Sequence, residues 1–136
     1  MSDKRVSMRW TGDGLSFEGG APDGPRVVLD SAGKEGPSPM DALLLAVGGC
    51  MGIDVVMILE KGRVPLESLE VELEGDRAPD PPRRFTAIRI LYRIGGLGPE
   101  HQARAQRAVD LSRDRYCSVL HSLDPGTDLD IRIEYV

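Results

Sequence analysis

The sequence predicts an α+β fold. Short alternating strand patterns crowd its first thirty residues, a single long apolar helix pattern follows, and the strands and helices beyond it do not alternate strictly. That last feature excludes a doubly wound parallel sheet, which needs regular βαβ repetition. The 136 residues are one domain's worth of chain, so a single domain over 1–136 is expected. At this size folding buries roughly two-thirds of the unfolded surface, enough for a core without staples.

Val6-Ser7-Met8-Arg9-Trp10 alternates, Thr11-Gly12-Asp13-Gly14 signals a turn, and Leu15-Ser16-Phe17 alternates again. A short strand follows at Arg26 to Leu29, then a Gly- and Pro-bearing connection from Ser31 to Pro37. Ser38-Pro39 is a helix start, since Ser caps and Pro suits the first helical position. The helix runs to Lys61 and stops at Gly62, a length of roughly 33 Å at 1.5 Å per residue. Its apolar residues, from Met40 through Leu45, Met51 and Val56 to Leu59, cover nearly every side. A helix apolar all round must be buried all round. One small subunit has difficulty enclosing it, which predicts a homodimer.

Leu69, Val71 and Leu73 then alternate with glutamates, and Ile88, Ile90, Tyr92 and Ile94 with Arg89, Leu91 and Arg93. Cross-strand charge pairs are expected between these two strands. A second helix starts near Pro99 with Ala105, Ala108, Val109 and Leu111 inward, and Ser112 to Tyr116 ends it. A short helix is expected from Cys117 to Leu123, stopped by Asp124-Pro125-Gly126, before a last strand at Leu129 to Tyr135. The predicted order is β-β-β-α-β-β-α-α-β.

The net charge of −5 argues against nucleic acid or an anionic membrane as partner. The longest uncharged apolar stretch, Ala42 to Ile53, is 12 residues, against about 20 for a membrane span. No leader pattern opens the chain. A cytoplasmic protein is expected.

Two cysteines, Cys50 and Cys117, lie 67 positions apart, with only His101 and His121 as histidines. No clustered spacing for a structural zinc site exists, so no structural zinc is expected. In a reducing cytoplasm the pair is either two buried apolar thiols or a redox couple. Cys50 sits mid-helix after Gly48-Gly49, where bare backbone lets something pack closely. Cys117 begins a short helix, whose free amides and dipole favour a thiolate, with Arg113 and Arg115 adding positive charge. Asp54 is one turn after Cys50 on the same face. Asp41 is a first-turn dipole residue on another side of the helix. His121 reads as a surface histidine.

The stretch Gly36-Pro37-Ser38-Pro39-Met40-Asp41-Ala42 through Val47-Gly48-Gly49-Cys50 resembles the first cysteine motif of the OsmC/Ohr family, and Ala108 through Arg115-Tyr116-Cys117-Ser118-Val119 resembles its second. The resemblance covers essentially the whole chain. It implies an OsmC-like fold in an intertwined homodimer with its sites at the subunit interface. It implies a thiol peroxidase of oxidative or osmotic stress defence that reduces organic hydroperoxides without metal or haem. Cys50 is then the peroxidatic and Cys117 the resolving residue, reset by an external dithiol reductant, either a protein or a small thiol. Characterised members carry a Glu directly after Asn-Pro, and it orients an arginine; here Ser38-Pro39 is followed by Met40. Asp54 or Asp41 is the candidate to take that place, with Arg9, Arg26, Arg113 and Arg115 as candidate cations. The alternative expectation is a non-catalytic relative binding a small apolar ligand in the interface cleft. A third class, a small-molecule thiol transferase, has no separate support in the residues.

Overall fold

The computed structural model describes residues 2–136. Its contacts gather into two compact units, one running to Leu43 and one from Leu44 to Val136. The first holds a three-stranded antiparallel meander, β1 (Ser7–Trp10), β2 (Ser16–Gly20) and β3 (Val27–Asp30), in that spatial order. The β1–β2 turn needs a left-handed backbone at Gly12 and Gly14, with φ of 89° and 53°. The Trp10 indole closes it by donating to the Gly14 carbonyl at 3.0 Å. Asp30, almost fully buried, accepts from the amides of Ala32, Lys34 and Glu35 at 3.0, 3.2 and 3.1 Å, which organises the connection after β3. Those bonds, Glu35's first and then Ala32's, hold its carboxyl below the ordinary carboxylate value.

Helix α1 spans Pro39–Lys61, as the Ser-Pro signal predicts; Ser38 Oγ accepts from the Asp41 amide at 3.1 Å. From Leu44 onward α1 belongs to the second unit, with β4 (Ser68–Arg77), β5 (Phe85–Gly95), α2 (Pro99–Leu111) and β6 (Asp128–Tyr135). β5 is central: β4 pairs with it antiparallel and β6 parallel. The period-2 pattern sorts the two faces. Ile88, Ile90, Tyr92 and Ile94 are buried on one, beside Leu69, Val71 and Leu73 of β4. On the other, Arg93 reaches Glu72 at 2.7 Å and Glu70 at 3.3 Å, and Arg89 reaches Asp76 at 2.9 Å and Glu74 at 3.3 Å. Such exposed pairs stabilise by only about 0.2–1 kcal/mol each. A one-residue slip would turn these charges into the core, so they also hold the register.

Both helices belong to the apolar core with that face. α2 buries Ala105, Ala108 and Val109, and its Gln102 carbonyl accepts from the Tyr135 hydroxyl at 3.0 Å. α1 buries Val47, Met51, Val55 and Leu59, one stripe at four-residue spacing. Gly48 sets the closeness of approach: a Cβ there would stand 2.5 Å from Leu73 Cδ1 of β4. The close packing read into Gly48-Gly49 therefore falls on one glycine of the two, since a Cβ at Gly49 would meet nothing within 4 Å.

The single chain leaves one side of α1 bare, as expected of one small subunit: Leu45, Ile53 and Met57 are 62%, 61% and 61% exposed, because the sheet has one apolar face and can take only one side of a helix. By length and apolarity these 23 residues would suffice to cross a membrane; in this fold one side of the helix is seated on the sheet instead. One expectation is corrected: no helix runs from Cys117 to Leu123. A wide π-type turn at Ser112–Tyr116 ends in Cys117, whose ψ of 99° is extended, and a single 3₁₀ turn at Leu120–Ser122 follows. The Cys117 sulfur takes the Leu120 amide at 3.3 Å, a local bond that competes with regular helix.

Candidate functional site

Three donor atoms meet in the second unit. Cys50 and Asp54 are one α1 turn apart, and Cys117 is carried in by the π-type turn after α2. The two sulfurs and an Asp54 carboxylate oxygen all lie within 4.8 Å of one another. Both cysteines are free thiols, Cys50 half-buried and Cys117 fully buried. Asp54 is fixed by Ser112, whose hydroxyl donates to Oδ2 at 2.8 Å and which has no exposed surface. The π-type turn, closed by the Cys117 amide on the Ser112 carbonyl at 2.9 Å, sets both residues at once. Widened turns of this kind recur at functional sites because they re-aim a side chain within a helix.

The electrostatics are anionic. Burial pushes the Cys117 thiol up, to about 11; the Leu120 amide opposes this, and Cys50 and Asp54 add to it. The expectation of a thiolate favoured by a helix start at Cys117 is thus overturned: one amide does not outweigh desolvation. Tyr92 lies near the same groups, and its phenol is raised by burial first and then by Cys117, Asp54 and Cys50. Its hydroxyl is buried and has no hydrogen-bond partner among the described residues.

The candidate arginines have other company. Arg113 donates to Asp114 at 2.7 Å and lies 3.5 Å from Asp110, and the Asp114 bond raises its pKa most. The Arg115 guanidinium stacks 5.7 Å from the Tyr116 ring centre. Arg26 pairs with Glu18 at 3.3 Å, and Arg9 is exposed on β1. Asp41 stands in the first turn of α1, and Asp54 bonds to Ser112. His121 turns Nδ1 to the Cys117 carbonyl at 2.8 Å. Sequence reasoning missed Ser112 and Tyr92. Tyr92 was legible in principle, as a hydroxyl on a strand face otherwise Ile88, Ile90 and Ile94, where a buried phenol needs a partner.

Beside the cluster an open groove of about 880 Å³ is lined by Asp54, Met57, Ile58, Leu111 and Tyr116 among others. Glu60 and Lys61 complete its lining, and Asp54 is the member of the cluster that it touches.

A fold of this order, with one thiol on the long helix and one after the second, defines a class. The family model for OsmC-like proteins matches residues 31–132, and the chain belongs to that family. It is 39% identical to protein YhfA of Escherichia coli K12 over 133 residues, 97% of this chain and 98% of the relative. A solved hypothetical protein of Aquifex aeolicus VF5 superposes with a TM-score of 0.86 at 30% identity, covering 100% of this chain and 98% of that one. The organic hydroperoxide resistance protein OhrB of Bacillus subtilis shares the fold at a TM-score of 0.66 and 16% identity, with 98% of each chain covered.

Proposed function

We propose that this protein is a cytoplasmic, dimeric thiol peroxidase that reduces organic hydroperoxides through Cys50 and Cys117. The observation that carries this reading is the meeting of two free thiols and a carboxylate within 4.8 Å, one thiol half-buried and the other buried. In the first step the Cys50 proton passes to the Asp54 carboxylate and the sulfur attacks the terminal peroxide oxygen. The O–O bond breaks, the alkoxide takes up a proton and leaves as an alcohol, and Cys50 becomes a sulfenic acid. The Cys117 sulfur then attacks Cys50, an S–S bond forms, and water leaves with the Cys117 proton. An external dithiol reduces the disulfide back to two thiols. No bound cofactor enters these steps. The apolar lining of the groove by Met57, Ile58 and Leu111 favours alkyl or lipid hydroperoxides over hydrogen peroxide. A second copy of the chain covers the outer side of α1.

In this reading Asp54 is a proton acceptor held by Ser112, not the arginine-orienting carboxylate of characterised relatives. Free-thiol titration before and after one equivalent of cumene hydroperoxide tests the whole scheme. Wild type should lose both thiols and regain them with a dithiol. Cys50→Ser should lose none, and Cys117→Ser should stop at an oxidised Cys50 without a disulfide. Asp54→Asn should slow oxidation by about 10²-fold or more with the fold intact, the usual size of a proton-transfer contribution. Survival of both wild-type thiols would retire the peroxidase and favour the second reading, an apolar-ligand protein, which the groove lining and the high pKa of Cys117 support.

A further inference from the structure

We propose that the reduced Cys50–Asp54–Cys117 cluster is also a reversible binding site for a thiophilic divalent cation of the zinc class. Metal–sulfur bonds of about 2.3 Å and metal–oxygen bonds of about 2.0–2.2 Å put the donors of a tetrahedral ion roughly 3.3–3.8 Å apart. The three donors here all lie within 4.8 Å of one another, so a small closing movement brings them onto one ion. The donor set selects the ion: two sulfurs and one carboxylate suit Zn²⁺ or Co²⁺, whereas Mg²⁺ and Ca²⁺ demand oxygen throughout.

Three independent features support a cation at this place. Among the described residues the cluster has no ion-pair partner; Arg113 pairs with Asp114 and Arg115 stacks on Tyr116. Ser112 already holds the Asp54 carboxylate from behind, as outer partners hold metal-binding carboxylates. The Tyr92 hydroxyl of β5 is buried without a hydrogen-bond partner among the described residues, a polar atom that a metal-bound water would satisfy. Spacing along the chain hides this site, because its sulfurs come from elements 67 positions apart and no histidine joins them. The occupied cluster ties up the sulfur that would meet a peroxide, so cation and oxidant compete for Cys50.

The test is Co²⁺ added to the reduced, full-length protein without oxygen. One equivalent should give thiolate-to-cobalt charge-transfer absorption and tetrahedral cobalt bands, and Zn²⁺ should erase both while Mg²⁺ should not. Cys50→Ser and Cys117→Ser should each lose most of the charge-transfer intensity, and Ser112→Ala should weaken binding by about tenfold. In wild type, where no variant need fold, Zn²⁺ should protect Cys50 from iodoacetamide. Absence of charge transfer, a spectrum that survives both cysteine changes, or alkylation indifferent to Zn²⁺ would each overturn the site. None of these readouts requires peroxide turnover, so failure of the peroxidase reading would leave this one standing.

Discussion

Val47, Met51, Val55 and Leu59 run along one side of α1 and have at most 1% exposure, while Leu45, Gly49, Ile53 and Met57 run along the opposite side at the same spacing and stand open. The two stripes are made of the same kinds of residue. What separates them is the surface each meets: the sheet offers an apolar face to the first, and the described residues leave the second open. Cys50 and Asp54 lie between the stripes, which is why the Cys50 thiol is half-buried and Asp54 lines a groove. Hydrophobic patterning states how much of a helix must be covered; which surface covers it is a separate fact.

The comparison breaks most sharply on the inner side. Met51→Ala should cost about 2–5 kcal/mol, the range for emptying a closed core position, read as a shift of the denaturation midpoint in urea. A cost near zero would mean that the stripe is not the core. On the outer side, Ile53→Glu with Met57→Glu should split the proposed homodimer into folded monomers, followed by light scattering and circular dichroism. A chain already monomeric at micromolar concentration would remove the dimer from the proposal. The two adjacent glycines give the smallest and most local contrast. Gly48→Ala puts a methyl against Leu73 and should destabilise by about 1–3 kcal/mol. Gly49→Ala should cost clearly less, since helix propensity favours Ala by roughly 1 kcal/mol and nothing in the chain stands in the way. Equal losses at both would mean that the outer stripe is as tightly packed as the inner.

The elements were largely legible because each carries a local signal. Ser38-Pro39 and Gly62 bound α1, Pro99 opens α2, and the glutamates of β4 face the arginines of β5 as alternation requires. The stretch after α2 was not, because its shape depends on long-range matters. Ser112 bonds to a residue 58 positions away, and the Cys117 sulfur competes for an amide that a helix would otherwise use. The site was half legible for the same reason. Cys50 and Asp54 follow from helix geometry, whereas the pairing of Arg113 with Asp110 and Asp114 and the stacking of Arg115 on Tyr116 do not follow from spacing. The positive surroundings read into the second cysteine assumed that nearby in sequence meant unoccupied in space.

β5 and β6 are neighbours running in the same direction, so the chain must leave the sheet after Gly95, cross with α2 and return before β6 can pair. Cys117 rides that return leg with no surface exposed. Its sulfur is consequently a built-in reporter of opening: a bulky thiol reagent reaches it only in molecules whose crossover has lifted away. In a Cys50→Ser chain, the ratio of that labelling rate to the rate on a short unfolded peptide gives the free energy of the excursion directly. If the crossover lifts alone, the value falls short of global unfolding; if it comes away only with the sheet, the two coincide.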